Sequence, residues 1–265
     1  MKLHLGRALE EVGRAMRQSA GLYLTVALAF GVLPTLVSSL ALPNPQTAAT
    51  QAPLVQFLLL TIVILLGIVG WIAIQRLSLL SESVGQAIAR SPVPALKMFG
   101  VILLLALPVA FLMAPFFPSY QSSNPQEQAG AATAISLIMM IVLFPFVRFL
   151  LSLPIAAVEG GGVLQIMRRS WRLTRGNTWK LYGLALLFLI VLGLVTFVAQ
   201  RALGSVILLL LGEPRALSVS ALLLALSVQL AQLTITLPFT ILVARLYAQA
   251  TGGAVQASVP HAGHD

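Results

Sequence analysis

Apolar positions along this chain come in long blocks, without the two-residue alternation of a strand or the mixed faces of a soluble helix. Six blocks approach or exceed the roughly 20 residues that a helix needs to cross hydrocarbon. They cover residues 21–42, 53–74, 98–117, 132–158, 181–198 and 217–247. The fourth and sixth are longer than a crossing requires. Pro145 and Pro154 predict a kink in the fourth, and Pro238 one in the sixth, because proline removes a backbone donor. A further apolar piece, 203–211, is too short to cross alone. It reads as an interfacial or re-entrant segment, or as an extension of the fifth helix. The blocks predict an all-α polytopic membrane protein with six transmembrane helices.

A short pattern recurs just before each pair of blocks. Val12 to Ser19 reads V-G-R-A-M-R-Q-S, Val84 to Ser91 reads V-G-Q-A-I-A-R-S, and Val163 to Ser170 reads V-L-Q-I-M-R-R-S. The third copy diverges most, with Leu164 and Ile166 where the others have glycine and alanine. The recurrence predicts a threefold internal repeat of one amphipathic helix and one transmembrane hairpin. Its units are 1–75, 76–158 and 159–249, within a single transmembrane domain over 1–249, and 250–265 forms a disordered cytoplasmic tail.

The three amphipathic helices separate apolar from basic residues at about 100° per residue. In the first, Leu5, Leu9, Val12 and Met16 oppose Arg7, Arg14 and Arg17. In the second, Leu77, Leu80, Val84 and Ile88 form the apolar stripe. The third is the clearest: Val163, Leu164, Ile166, Met167, Trp171 and Leu173 share one half-wheel, and Gln165, Arg168, Arg169, Arg172 and Arg175 share the other. Gly160 to Gly162 break the chain before it, and Gly176 with Asn177 ends it. Such helices lie in the headgroup region with their arginines among lipid phosphates. The alternative is a set of ordinary connections packed on the bundle.

Charge changes the picture by its placement. The net charge of +9 could suggest nucleic acid, but the basic residues sit in short segments between apolar blocks. Twelve lie on one side: Lys2, Arg7, Arg14 and Arg17, then Arg76, Arg90 and Lys97, then Arg168, Arg169, Arg172, Arg175 and Lys180. Only Arg201 and Arg215 fall in the opposite loops. Positive-inside bias therefore places both termini in the cytoplasm, and no nucleic-acid partner is expected. Charged residues make up only 9% of the chain against 58% hydrophobic, too few to cover a water-facing surface. Cysteine is absent, which removes disulfides, thiolate metal sites and a cysteine nucleophile. Some twenty residues containing Glu10 and Glu11 precede the first block, so that block reads as a retained anchor.

One stretch carries a resemblance. Pro154 to Gly176 reads P-I-A-A-V-E-G-G-G-V-L-Q-I-M-R-R-S-W-R-L-T-R-G. Glu159, followed by Arg169, Ser170, Trp171, Leu173, Thr174 and Gly176 and then a fresh spanning helix, resembles a superfamily of poorly characterised bacterial inner-membrane proteins. It includes YciC-type proteins and the membrane domain attached to some glycerophosphoryl diester phosphodiesterases. The resemblance implies a bacterial inner-membrane protein. It carries over no catalytic residue, and without a soluble phosphodiesterase domain that activity is not expected.

Candidate chemistry is sparse. His4, His261 and His264 all lie near the ends, and His261, His264 and Asp265 would hold a metal only weakly. No metalloprotease pattern, phosphate loop or paired nucleophile is present, so neither a catalytic site nor a cofactor is expected. Arg148 lies well inside the fourth block, where a charge is costly unless its surroundings are wet or paired. With Gln229 and Gln232 on one face of the sixth helix, and Gln56 in the second, it could build an intramembrane polar path. Alternatively, the glutamines bond between helices and Arg148 reaches an interface or carbonyls freed by Pro145. Glu159 is expected to pair with Arg168 or Arg169, or to sit at the start of their helix. Arg168, Arg169, Arg172, Arg175 and Lys180 are the candidate contacts for anionic phospholipid headgroups. Together these point to a non-enzymatic inner-membrane protein acting in envelope lipid organisation or as the partner of another membrane protein. A transporter or channel for a small or lipid-like anionic solute is the alternative.

Overall fold

Hydrocarbon offers a backbone no hydrogen-bond partner, so each long apolar block must satisfy its N–H and C=O groups within itself, as a helix. The computed structural model describes residues 4–41, 53–80, 82–212 and 218–252, and all its regular elements are helical. Helix α1 (Leu5–Ala27) passes through a π-helical turn, Leu28–Val32, into α2 (Leu33–Ala41). Next come α3 (Pro53–Leu80) and the short α4 (Val84–Ala89). Then α5 (Pro92–Met113) leads through a 3₁₀ turn into α6 (Phe117–Tyr120). Helix α7 (Pro125–Val147) is followed by α8 (Ser152–Val158) and α9 (Val163–Thr174). Helix α10 (Thr178–Val198) continues through a second π-helical turn, Ala199–Leu203, into α11 (Gly204–Leu211), and α12 (Val219–Ala250) closes the chain.

Among the described residues, six columns are long and apolar enough to cross a membrane: Leu5–Ser38, Leu54–Leu80, Pro92–Tyr120, Pro125–Val158, Thr178–Leu211 and Val219–Ala250. In the most apolar stretches of the last four, only 6 to 11% of residues are buried inside the protein. Phe111, Ile141 and Leu209 are among the side chains that stand free of the bundle. Only lipid covers so much apolar surface. This is a multi-pass integral membrane protein.

Several local expectations resolve differently. Of the three courses open to 203–211, the structure takes the extension of the fifth helix. The stripe Leu77, Leu80, Val84 and Ile88 does not belong to one helix, because α3 runs on to Leu80 and α4 begins afresh behind its cap at Ser83. The fourth column breaks at 148–151, just after Pro145, and Pro154 falls in the first turn of α8, where a missing N–H costs little. Helix α12 runs through Pro238 as one helix. The first column bends at Ser19 (φ −136°, ψ 21°), where its basic segment meets its apolar one. Lys2, Arg215, His261, His264 and Asp265 lie outside the described residues.

The buried core gathers at the end that carries most of the basic residues. Ile72, Ile74, Leu151, Ile155, Ile166, Leu181, Leu246 and Tyr247 are all under 2% exposed there. First and last helices meet at the same end, where the His4 N–H donates to Gln249 Oε1 at 3.1 Å. Farther along, α3 approaches the turn after α1 closely at Gly70, where a Cβ would stand 2.5 Å from that of Phe30.

Candidate functional site

The break in the fourth column positions the most organised polar cluster. A helix end leaves its last carbonyls without backbone donors, and α7 ends with Arg148 as its C-cap. The Arg148 carbonyl accepts from Ser170 Oγ at 2.8 Å, and Thr174 Oγ1, whose single proton also has the Ser170 carbonyl at 3.0 Å and the Trp171 carbonyl at 3.2 Å within reach, stands 3.3 Å from it; both are on α9. Ile166, Ser170 and Thr174 follow each other at four-residue spacing and are fully buried, so they form the face by which α9 docks. By sequence alone, the broader apolar half-wheel lies in the headgroup region, with packing on the bundle as its alternative. From the sequence, Ser170 is a motif position with no assigned partner.

A second attachment runs through Glu159. Its carboxylate accepts from Arg169 Nε at 3.1 and 3.2 Å and from the Tyr247 hydroxyl at 2.7 Å, which ties the start of α9 to the end of α12. Of the two arginines proposed for Glu159, Arg169 is the partner. The linker between them needs glycine: Gly160 and Gly161 have φ of 70° and 90°, and Gly176, closing α9, has 89°. Gly162 N–H donates to Gln165 Oε1 at 3.0 Å and so caps the helix start.

With α9 held on that side and Val163, Met167 and Leu173 half-buried against the core, its opposite face is exposed. Arg168, Arg172, Arg175 and Lys180 are exposed, and none has a carboxylate partner among the described residues. Leu164 and Trp171 project outward beside them; both were expected on the apolar face with Ile166, and the docking face excludes them. The Arg148 guanidinium lies 4.2 Å from the centre of the Trp171 ring, and Phe149 lies 5.7 Å from it. Phe149, Leu164, Met167, Arg168, Trp171 and Arg172 line an open groove of about 670 Å³.

Arg148 is not brought to the glutamines. Gln229 and Gln232 line a separate cavity of about 360 Å³ with Thr35, Trp71 and Thr236, between the first, second and sixth columns. Gln232 Nε2 donates to Thr196 Oγ1 at 3.3 Å, a bond between helices. Phe149 lies level with Thr240 and Val243, eight or more residues along α12 from Gln232, or about 12 Å at 1.5 Å per residue. Gln56 is at the opposite end of α3 from Arg76. The path through Arg148 is therefore not assembled.

A clasp at Glu82 went unread in the sequence. Arg76 Nε and Nη2 donate to its two oxygens at 2.8 and 2.6 Å, Arg76 Nη1 donates to the Ala157 carbonyl at 2.5 Å, and Arg90 Nη1 reaches Glu82 at 3.0 Å. Burial pushes the Glu82 carboxyl up, but hydrogen bonds and charge from Arg76 and Arg90 outweigh it and hold it below the usual carboxylate range. In the sequence, Arg76 and Arg90 mark only the basic side. The six-residue spacing of Arg76 and Glu82 across a helix end was the available hint. Among the described residues, no group of three His, Cys, Asp or Glu stands ready for a metal ion.

A family model described as "Membrane domain of glycerophosphoryl diester phosphodiesterase" matches residues 126–259, just over half of the chain and the part that contains the α9 cluster. No curated protein and no solved structure matches.

Proposed function

The chain belongs to the family of the membrane domain of glycerophosphoryl diester phosphodiesterase, and we propose that it is a non-enzymatic protein of a bacterial inner membrane that engages anionic phospholipid headgroups. The observation that carries this reading is the surface of α9. Ser170, Thr174 and Arg169 fasten the helix to the bundle, and Arg168, Arg172 and Arg175 have no acidic partner among the described residues and stand beside exposed Leu164 and Trp171. Arginines flanked by an aromatic ring and apolar side chains suit the boundary between headgroup and acyl chain. Each basic residue near an anionic surface adds about 1 kcal/mol of attraction. The family name ties it to an enzyme of glycerophosphoryl diesters, and a phospholipid headgroup carries the same phosphodiester. In this reading both termini are cytoplasmic, and the three helices that precede the hairpins derive from one repeated, amphipathic unit. The role is in envelope lipid organisation or in holding a membrane partner.

Lipids that copurify with the full chain in mild detergent test it. Mass spectrometry should find anionic phospholipid enriched over the bulk membrane. A bound-lipid composition equal to the bulk would sink the proposal.

A second reading, transport of a small or lipid-like anionic solute, draws on the cavity lined by Gln229, Gln232, Thr35 and Thr236. It requires water to reach those glutamines. The chain has no native cysteine, so labelling of a Gln229→Cys variant by a small water-soluble thiol reagent decides it, and full protection removes the reading.

A further inference from the structure

The groove beside α9 differs from a flat basic surface in having walls. Phe149 and Trp171 form an aromatic side, Leu164 and Met167 an aliphatic one, and Arg168 and Arg172, one helical turn apart, complete it. Residues four apart on a helix lie on the same face about 5–6 Å from each other, close enough for two guanidiniums to share one phosphate. The Arg148 guanidinium, 4.2 Å from the centre of the Trp171 ring, puts a further positive charge beside that aromatic wall, and among the described residues no carboxylate lines the groove. Phe149 also walls an apolar cavity of about 350 Å³ that reaches Leu150 and the exposed Ile102 and Phe146. A chain leaving the groove at Phe149 therefore meets further apolar surface.

We propose that this groove is a binding site for one anionic phospholipid, with its phosphate between Arg168 and Arg172 and one acyl chain laid against Trp171 and Phe149. The inference rests on the headgroup reading above and sharpens it from a surface attraction to a discrete site. A soluble phosphate compound fits less well. Exposed Leu164 and Trp171 and the uncovered part of half-buried Met167 would stay in contact with water around it, whereas a chain covers them at about 25 cal/mol per Å² of apolar area. Arg168 and Arg172 form no ion pair among the described residues, so replacing them leaves the fold's own contacts in place.

The test uses the full chain in lipid nanodiscs. Trp71→Phe and Trp179→Phe leave Trp171 as the single tryptophan reporter. Phosphatidylglycerol brominated on its acyl chains should quench Trp171 more strongly than equally brominated phosphatidylcholine at the same mole fraction. Arg168→Gln with Arg172→Gln should abolish that preference, with about thirtyfold weaker binding if each arginine contributes as near-surface charges do. Arg7→Gln with Arg14→Gln on α1 should leave it unchanged. Native mass spectrometry of the chain with all its tryptophans gives a readout independent of those replacements. One retained phosphatidylglycerol should disappear in the Arg168/Arg172 variant. Equal quenching by the two lipids, or a preference and a retained lipid that survive the double substitution, overturns the groove. If anionic lipid is still enriched on the purified chain in that case, the broader headgroup reading stands; without enrichment both fall.

Discussion

Ser170 and Thr174 converge on one acceptor, the carbonyl of Arg148, and that sharing explains how a helix with few buried apolar residues stays attached. A net hydrogen bond contributes about 1 kcal/mol, and a buried polar group left unpaired costs about 1–3 kcal/mol. Ser170→Ala should therefore cost about 1 kcal/mol, because Thr174 remains to cover the carbonyl. Ser170→Ala with Thr174→Val should cost distinctly more than twice that. Thermal unfolding of the detergent-solubilised variants measures both, and simple additivity would refute the shared-acceptor account. Arg148 stood out in the sequence as a costly charge, and that cost was legible. Its solution was not, because the Trp171 ring that covers it comes from another helix.

At the scale of elements, α3, α4 and α8 are clasped through Arg76, Glu82 and the Ala157 carbonyl. The Glu82 carboxyl is held below its ordinary value of 4.5, so its contribution is fully present above that pH and is lost as pH falls through the lower folded-state value. Stability of the intact chain should thus decline on acidification below about pH 4.5. Glu82→Gln should flatten that limb and lower stability at neutral pH; an unchanged acid limb in the variant would assign the loss to other carboxylates. The contact of α3 with the turn after α1 gives a packing test. Gly70→Val places a branched side chain where even a Cβ stands 2.5 Å from that of Phe30. Overpacking of this kind costs about 1–3 kcal/mol, read as a lowered midpoint of thermal unfolding. A midpoint equal to that of the parent would mean the two columns separate easily.

For the whole molecule, the arrangement of six columns with the basic residues at one end predicts an orientation. Alkaline phosphatase fused after Asp265 should be inactive, and fusions near Gln46 or Ser122 should be active, because the enzyme matures only outside the cytoplasm. The reverse pattern would invert the orientation proposed here. A tight basic end and an open opposite end also predict uneven protection. Amide hydrogen exchange should be slowest around Ile155, Ile166 and Tyr247, which are fully buried, and faster in α11, which has no buried residue. Uniform protection along the columns would contradict that picture.

The number of long helices, the breaks at Gly160 to Gly162 and Gly176, and the clustering of positive charge all follow from the sequence by itself. Each rests on a local constraint: apolar length against hydrocarbon thickness, self-contained backbone bonding, or a glycine where φ turns positive. Tertiary structure alone decided which groups meet. Arg169, not Arg168, takes Glu159; Arg148 faces Trp171, not Gln229 or Gln232; Arg76 finds Glu82; and Leu164 stays exposed. These choices depend on the rotation and height of each helix against its neighbours. Apolar side chains that look alike in one dimension set both through close packing, and a turn of 100° or a rise of 1.5 Å per residue is enough to change every partner.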